Sequence, residues 1–478
     1  VTRSPGRADS RGAVSVLAFS GILGALMQTI VVPLVAELPR LLNTTPDNAS
    51  WVITATLLSA AVTTPISGRL GDMFGKRRML VVCVVLLIMG SVLCALTSSL
   101  ALVIAGRALQ GTATSVVPLG ISILRDELPP ERVATAISLI SATLGVGGSI
   151  GLPVSALVGQ HLDWHLLFWG TAGVGVIALV LIIVVVPESP VRTPGRFDFV
   201  GAIGLAAGLM CVLLALTKGA AWGWTSTRVI TLMIAGLVIL AAWMWFETRV
   251  SQPMVDIRIS ASRPVLLTNL ASIMTGFAMY AIALVLPQLL QAPAETGYGL
   301  GQSMVVGGLV LAPSGVVMML LAPLAARISN QHGPRTTLMA GLVIIAVGYV
   351  AGIYMMSSVW LLVLVACVSG AGVGLAFAAL PALIMGVVPP TETGVANGLN
   401  ALMRSVGTSL ASAAMALILT NLTMPIGPRA VPTATAFQLT FVAGAVAAVI
   451  ALVLAAFIPS RARLAEHTPA LNLNAGRV

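Results

Sequence analysis

The chain has 478 residues, of which 58% are hydrophobic and 8% charged, with a mean hydropathy of +1.03. Soluble domains carry about a quarter charged residues, so this composition excludes a soluble globular protein and defines an integral membrane one. The formal charge of +10 would suit a nucleic-acid binder. The cations, however, are scattered over short segments between apolar runs, a pattern that orients a protein in a bilayer, and no nucleic-acid partner is expected.

Alternation at period two is absent and the apolar runs reach about twenty residues, so the predicted spans are helices rather than barrel strands. In chain order they fall at 14–36, 50–68, 79–97, 100–124, 133–158, 166–186, 199–217, 228–246, 265–290, 303–325, 337–356, 359–388, 395–420 and 436–458. The even number puts both termini on one side. With that side cytoplasmic, nineteen of the 25 Lys and Arg fall inside; Arg40, Lys218, Arg228 and Arg429 fall outside, and Arg107 and Arg404 within spans. That asymmetry is the expected one for a multi-pass protein of the cell (cytoplasmic) membrane. Arg3, Arg7 and Arg11 before the first run could mimic a signal peptide, but the run continues past Ala25 to Ala36, too long for a cleaved apolar region.

The first span carries Met27-Gln28-Thr29-Ile30-Val31-Val32-Pro33, with Glu37 at its outer end. After the second comes the densest charge in the chain, Gly68-Arg69-Leu70-Gly71-Asp72-Met73-Phe74-Gly75-Lys76-Arg77-Arg78. Gly75 suits the positive φ of a sharp reversal, and Asp72 precedes Lys76 by four residues. By composition alone this is a solvated cytoplasmic turn. The order Gly68-x-Leu70-x-Asp72-x-x-Gly75-Lys76-Arg77 instead resembles the loop signature of the major facilitator superfamily. With Trp51 opening the preceding span, the stretch resembles the drug:proton antiporter branch with fourteen spans.

That resemblance implies an all-α membrane fold of two six-helix bundles plus a two-helix insert, acting by alternating access. Its segments are a cytoplasmic tail 1–13, an N-terminal bundle 14–186, a linker 187–198, the insert 199–246, a linker 247–264, a C-terminal bundle 265–458 and a cytoplasmic tail 459–478. Internal similarity agrees: Ala134 to Gly148 resembles Ala396 to Leu410, and Arg327 to Arg335 is a worn copy of the signature in which Gly333 matches Gly75. Such repeats place the substrate between the halves near the bilayer midplane. The resemblance also implies that Asp72 with Arg77 locks one state on the cytoplasmic side, Asp72 facing the positive end of the helix that starts near Gly394.

Intramembrane charge is costly and usually functional. Arg107, with Gln110 on the same helical face, resembles the family's fourth-span motif implicated in proton coupling; an arginine snorkelling to the outer interface is the alternative. Arg404 and Asn400, one turn apart in the thirteenth span, either face the cavity or make a structural interhelical bond. Gly147-x-x-x-Gly151 permits close helix approach, and Pro153 removes a backbone donor. Met27, Met274, Phe277, Met279 and Tyr280 supply adaptable apolar surface, either cavity lining or plain packing.

The chain departs from the branch in two places. Met27 stands where an acid is usual, and the glycines of the antiporter motif around Pro153 are missing. All fifteen Asp and Glu fall in loops or at span ends, so no mid-membrane carboxylate is available as the simplest proton carrier. Proton coupling is therefore implied by the resemblance alone, with Glu37, Arg107 and Gln110 as its candidates. A cavity with Arg107, Arg404, Gln28, Gln110 and Asn400 suits neutral or anionic amphiphiles better than cationic drugs. The expected function is efflux of small amphipathic molecules. An uncoupled or specific exporter of a lipid or metabolite, and a non-transporting membrane sensor or scaffold, are the alternatives.

Nothing in the sequence suggests an enzyme, a cofactor or a metal site. Cys83, Cys94, Cys211 and Cys367 fall in apolar runs, and His161, His165, His332 and His467 fall outside the spans. The bilayer, a small amphipathic substrate and protons are the expected partners, and no signal identifies an envelope partner protein.

Overall fold

A computed structural model describes residues 10–34, 37–193, 195–426 and 429–459. Most of the expected N-terminal tail, with Arg3 and Arg7, and nearly all of 459–478 lie outside those residues. Among the described residues, fourteen helical segments are long and apolar enough to cross a membrane. In order they are Arg11–Leu34, Pro46–Phe74, Lys76–Ala95, Leu100–Glu127, Glu131–His161, His165–Val185, Phe199–Trp222, Thr227–Glu247, Arg263–Gln291, Met304–His332, Pro334–Tyr354, Val359–Met385, Pro390–Asn421 and Ala434–Ala456. They correspond one to one with the spans read from sequence. Successive spans run in opposite directions, so Ser10, Gly75 and Pro459 share one face of the bundle, the Gly75 face.

Local chemistry sets the ends. Asp198, Ser226, Ser303 and Thr433 each accept a hydrogen bond from an otherwise free amide at the start of the helix that follows, a standard N-terminal cap. Gly75 and Gly333 reverse the chain at φ of 118° and 86°, the left-handed side that favours glycine. They occupy equivalent places after the second and tenth spans.

Several details differ from the sequence reading. The second-span helix runs on to Phe74, so Asp72 lies in its last turn and Gly75 alone makes the turn. The fourth span is two helices, Leu100–Gly111 and Val116–Glu127, joined by a 3₁₀ turn at Thr112–Ser115. Pro118 leaves the Thr114 carbonyl without its helical donor there, and Thr112 Oγ1 bonds Leu109 O at 2.7 Å and Cys83 O at 3.3 Å. Finally, the stretch read as a loop at 421–435 holds an antiparallel hairpin. Its strands β1 (Thr423–Ile426) and β2 (Arg429–Pro432) pair Thr423 with Pro432, and the Tyr298 hydroxyl donates to Pro432 O.

Apolar cores form within residues 271–458 and, as two clusters, almost wholly within 16–186. Between these cores, glycines let backbones meet. A Cβ on Gly398 would lie 2.8 Å from Thr64 O, and one on Gly394 would lie 2.6 Å from Gly68 O, joining the second and thirteenth spans. Gly145 and Gly315 do the same for the fifth and tenth, against Met318 and Ser149. The seventh and eighth spans lie over the seam of the second and thirteenth, their Leu205, Leu209 and Trp243 sharing one apolar cluster with Leu58, Val395 and Leu402. Lys218, read from sequence as a loop cation, lies inside the seventh-span helix at 1% exposure. Its Nζ donates to Asp47 Oδ1 at 2.9 Å and Ser50 Oγ at 2.6 Å and sits 4.8 Å from the Trp51 ring. Those partners replace the water an ammonium would otherwise need.

Candidate functional site

At the Gly75 face the two seam-forming spans are fastened by the Asp72 carboxylate, which is 1% exposed. Its Oδ1 accepts from Gly394 N–H at 3.0 Å and its Oδ2 from Val395 N–H at 2.9 Å. These amides open the Thr393–Asn421 helix, where unpaired donors and the helix dipole favour an anion. The lack of side chains on Gly68 and Gly394 makes the approach possible. Lys76, fully buried, completes the cluster: its Nζ lies 2.5 Å from Asp126 Oδ2 and 3.7 Å from Asp72 Oδ1, and donates to Thr393 Oγ1 at 2.8 Å.

Further bonds cross the same seam. Arg125 Nη2 donates to Val388 O at 3.0 Å, Asn397 Nδ2 to Ser122 Oγ at 3.3 Å, and Thr193 Oγ1 to Thr391 O at 2.6 Å. The cation beside Asp72 is therefore Lys76, not Arg77. One residue further along a helix turns about 100°, so the Arg77 guanidinium donates to Ile183 O and its backbone N–H to Glu188 at 3.1 Å. Arg77 ties the third span to the sixth. Asp126 escaped the sequence reading, although the Arg125-Asp126-Glu127 triplet at the end of a span was a visible signal.

Away from this face a cavity of about 220 Å³ lies between the two sets of spans. Gln28, Gly148, Met279, Tyr280, Phe377 and Arg404 are among its walls. Among the described residues Arg404 is the one charged side chain in the lining, and its guanidinium stacks over the Phe377 ring at 4.7 Å. No Asp or Glu lines the cavity among the described residues. A cation over an aromatic face is stabilised without being neutralised, which leaves an uncompensated positive charge in an apolar chamber.

Several sequence candidates lie elsewhere. Arg107, 1% exposed, neither snorkels nor reaches the cavity. Its Nε donates to Val52 O at 3.3 Å, Nη1 to Gln110 Oε1 at 2.7 Å and Nη2 to Met27 O at 3.1 Å. Gln110 passes the chain on to Ser91 Oγ at 2.7 Å, so four spans are tied by one guanidinium. Met27 offers this network its carbonyl while its side chain is core. Glu37 lies past the first span, half-exposed and paired with Arg40 at 3.0 Å. Asn400 makes the interhelical bond, to Asn269 Oδ1 at 3.0 Å and Ser272 Oγ at 2.7 Å, and so turns away from Arg404's chamber.

Phe277 packs on the core of the second half, its backbone pressed against Gly407. Gly147 and Gly151 abut the first span at Ile22, Ala25 and Thr29, whereas Gly308 of the tenth span lies over Leu152 and Pro153. The helix through Pro153 is continuous over Pro130–His161.

A chamber between two sets of apolar spans, sealed at one face by a polar clamp, is the architecture of a membrane transporter. The chain belongs to the Major Facilitator Superfamily, which it matches over residues 17–287 and 268–474. It is thus an integral multi-pass transporter of small substrates, and not an enzyme. Multidrug resistance protein 3 of Bacillus subtilis (strain 168) is 25% identical over 429 residues, covering 88% of this chain and 81% of that one. The tetracenomycin C resistance and export protein of Streptomyces glaucescens is 26% identical over 410 residues, covering 83% and 73%. Among solved structures, the human organic anion transporter MFSD10 (TETRAN) superposes with a TM-score of 0.67 at 16% identity, covering 95% of this chain and all of that one. The proton:xylose symporter XylE gives 0.64 at 14%, covering 94% and 96%. At those identities the two structures speak for the fold.

Proposed function

We propose that this transporter exports small amphipathic molecules, neutral or anionic, across the cell membrane by alternating access, with the proton gradient as its driving force. In this reading the Gly75 face is cytoplasmic, as the charge asymmetry of the loops favours. The bodies at 14–186 and 265–458 rock against each other, with 199–246 as an insert. Asp72, Lys76 and Asp126 hold the cytoplasmic side shut while the cavity releases its cargo outward. The names of the Bacillus and Streptomyces relatives support export of drug-like molecules. The observation that carries the substrate reading is Arg404, alone as a charge in the chamber, because an apolar cavity with one cation selects an apolar body with a neutral or anionic head.

Vesicles containing purified protein under an imposed pH gradient test this with neutral, anionic and dicationic amphiphiles of like size. The anion and the neutral compound should move faster than the dication; the reverse order would refute the reading. Arg404→Gln should lower anion transport about tenfold to a hundredfold, the worth of a charge-assisted bond, and change neutral transport less than about twofold. One observation favours a second reading, uncoupled or specific export of a lipid or metabolite: among the described residues no carboxylate lines the chamber to carry a proton. Flux that persists after the proton gradient is collapsed would select it.

A further inference from the structure

Glu247 ends the eighth span at 2% exposure. Its Oε2 accepts from Val255 N–H at 3.4 Å, and its Oε1 has no partner. Asp198, capping the seventh span, accepts from Gly201 N–H through Oδ1 at 2.7 Å, while its buried Oδ2 is likewise unpartnered. The two orphan oxygens converge on one point, since a Cβ added to Gly201 would touch both. The indole Nε1 of Trp243, whose residue is 8% exposed, and the Met254 N–H also point at the Glu247 carboxyl.

The nearby charges are engaged elsewhere. Arg249 stacks on Trp245 at 4.4 Å, Asp256 caps Arg258 and Ile259, Arg69 and Asp256 face Glu392, and Arg196 lines a crevice with Phe74 and Phe199. Among the described residues Asp198 is thus the one ionisable side chain facing Glu247. Two carboxylates whose buried oxygens lie within about 5 Å of each other strongly disfavour double ionisation. A single proton between Oε1 and Oδ2 makes one the donor and the other the acceptor, and satisfies both.

We infer that Asp198 and Glu247 form a proton-binding site that shares one proton, and that this proton helps keep the Gly75 face closed. The route to the clamp is short. Val255, held by Glu247, lies with Met254 in the same apolar cluster as Val395 and Leu402, and Val395 N–H is the amide held by Asp72. Loss of the proton leaves two adjacent buried anions, which favours withdrawal of Glu247 and release of the 248–256 segment from the seam. This second step rests on the reading of that face as a gate; the shared proton does not.

Infrared difference spectra of the full chain in lipid nanodiscs, between about pH 5 and about pH 9, test the site. A protonated-carboxyl stretch should fade as pH rises in the wild type and be missing from the spectra of both Glu247→Gln and Asp198→Asn. An unchanged titrating band in either variant would overturn the site, as would a wild type without the band, the result a bound metal cation would give. Hydrogen exchange, corrected for the intrinsic pH dependence, tests the link. Protection at 250–256 and 393–396 should fall about tenfold or more over that range in the wild type and stay constant in Glu247→Gln, whose amide donates to Asp198 at any pH. A titrating band without any change at 393–396 would overturn the link to the gate.

Discussion

Asp72→Asn is expected to expose the Gly75 face about tenfold or more while leaving the protein in the membrane. The carboxylate receives two backbone amides at 3.0 and 2.9 Å, and Asn offers one oxygen to replace them, turning its own NH₂ toward the other donor. Hydrogen bonds to charged groups are worth about 1.5–3 kcal/mol net against about 0.5–1.5 for neutral ones. Losing that difference across two bonds, together with one of the two anions beside buried Lys76, removes more than the ~1.4 kcal/mol that equals a factor of ten. Val388, 3% exposed behind the clamp, is a suitable reporter. In a background without the four native cysteines, Val388→Cys should react with maleimide about tenfold faster when Asp72 is Asn, and export should fall. Unchanged labelling and unchanged flux would remove Asp72 from the gate.

Arg107→Met should cost more in stability than any other single change considered for the spans. The side chain is fully enclosed, and its removal strands Met27 O and Gln110 Oε1, while Val52 O keeps the Thr56 hydroxyl. Leaving a buried acceptor unsatisfied costs about 1–3 kcal/mol for each group. Arg107→Lys should recover part of that, because one ammonium cannot reach three acceptors spread around a planar fork. Unfolding in mild detergent is the measurement. Normal stability with abolished transport would return Arg107 to the coupling role that its motif suggests.

Much of the fold was legible because hydropathy dictates it: a bilayer requires about twenty apolar residues per crossing, and the chain marks fourteen. The Asp72 contact with the helix at Gly394 was legible too, since a signature acid and a helix N-terminus are chemically matched. Other features depended on rotation about helix axes, which apolar spans conceal. In a span that is hydrophobic on every side, nothing tells whether Arg107 or Arg404 points to the chamber, and it is Arg404 that does. The same ambiguity left Met27 and Phe277 open between lining and packing, and both pack in apolar cores. Lys218 looked like a loop cation because its partners, Asp47 and Ser50, are remote in sequence. Glu247 fell at the start of the 247–264 linker, and its burial arises from the 248–256 segment folding back over it.

The central claim is that the seam fastened at the Gly75 face opens in every transport cycle. Asn397 Nδ2 lies 3.3 Å from Ser122 Oγ across it, so a Ser122→Cys and Asn397→Cys pair can be bridged by a short bis-methanethiosulfonate linker. In vesicles carrying that pair on the cysteine-free background, bridging should stop export and reduction should restore it. Full export with the bridge intact would contradict the account.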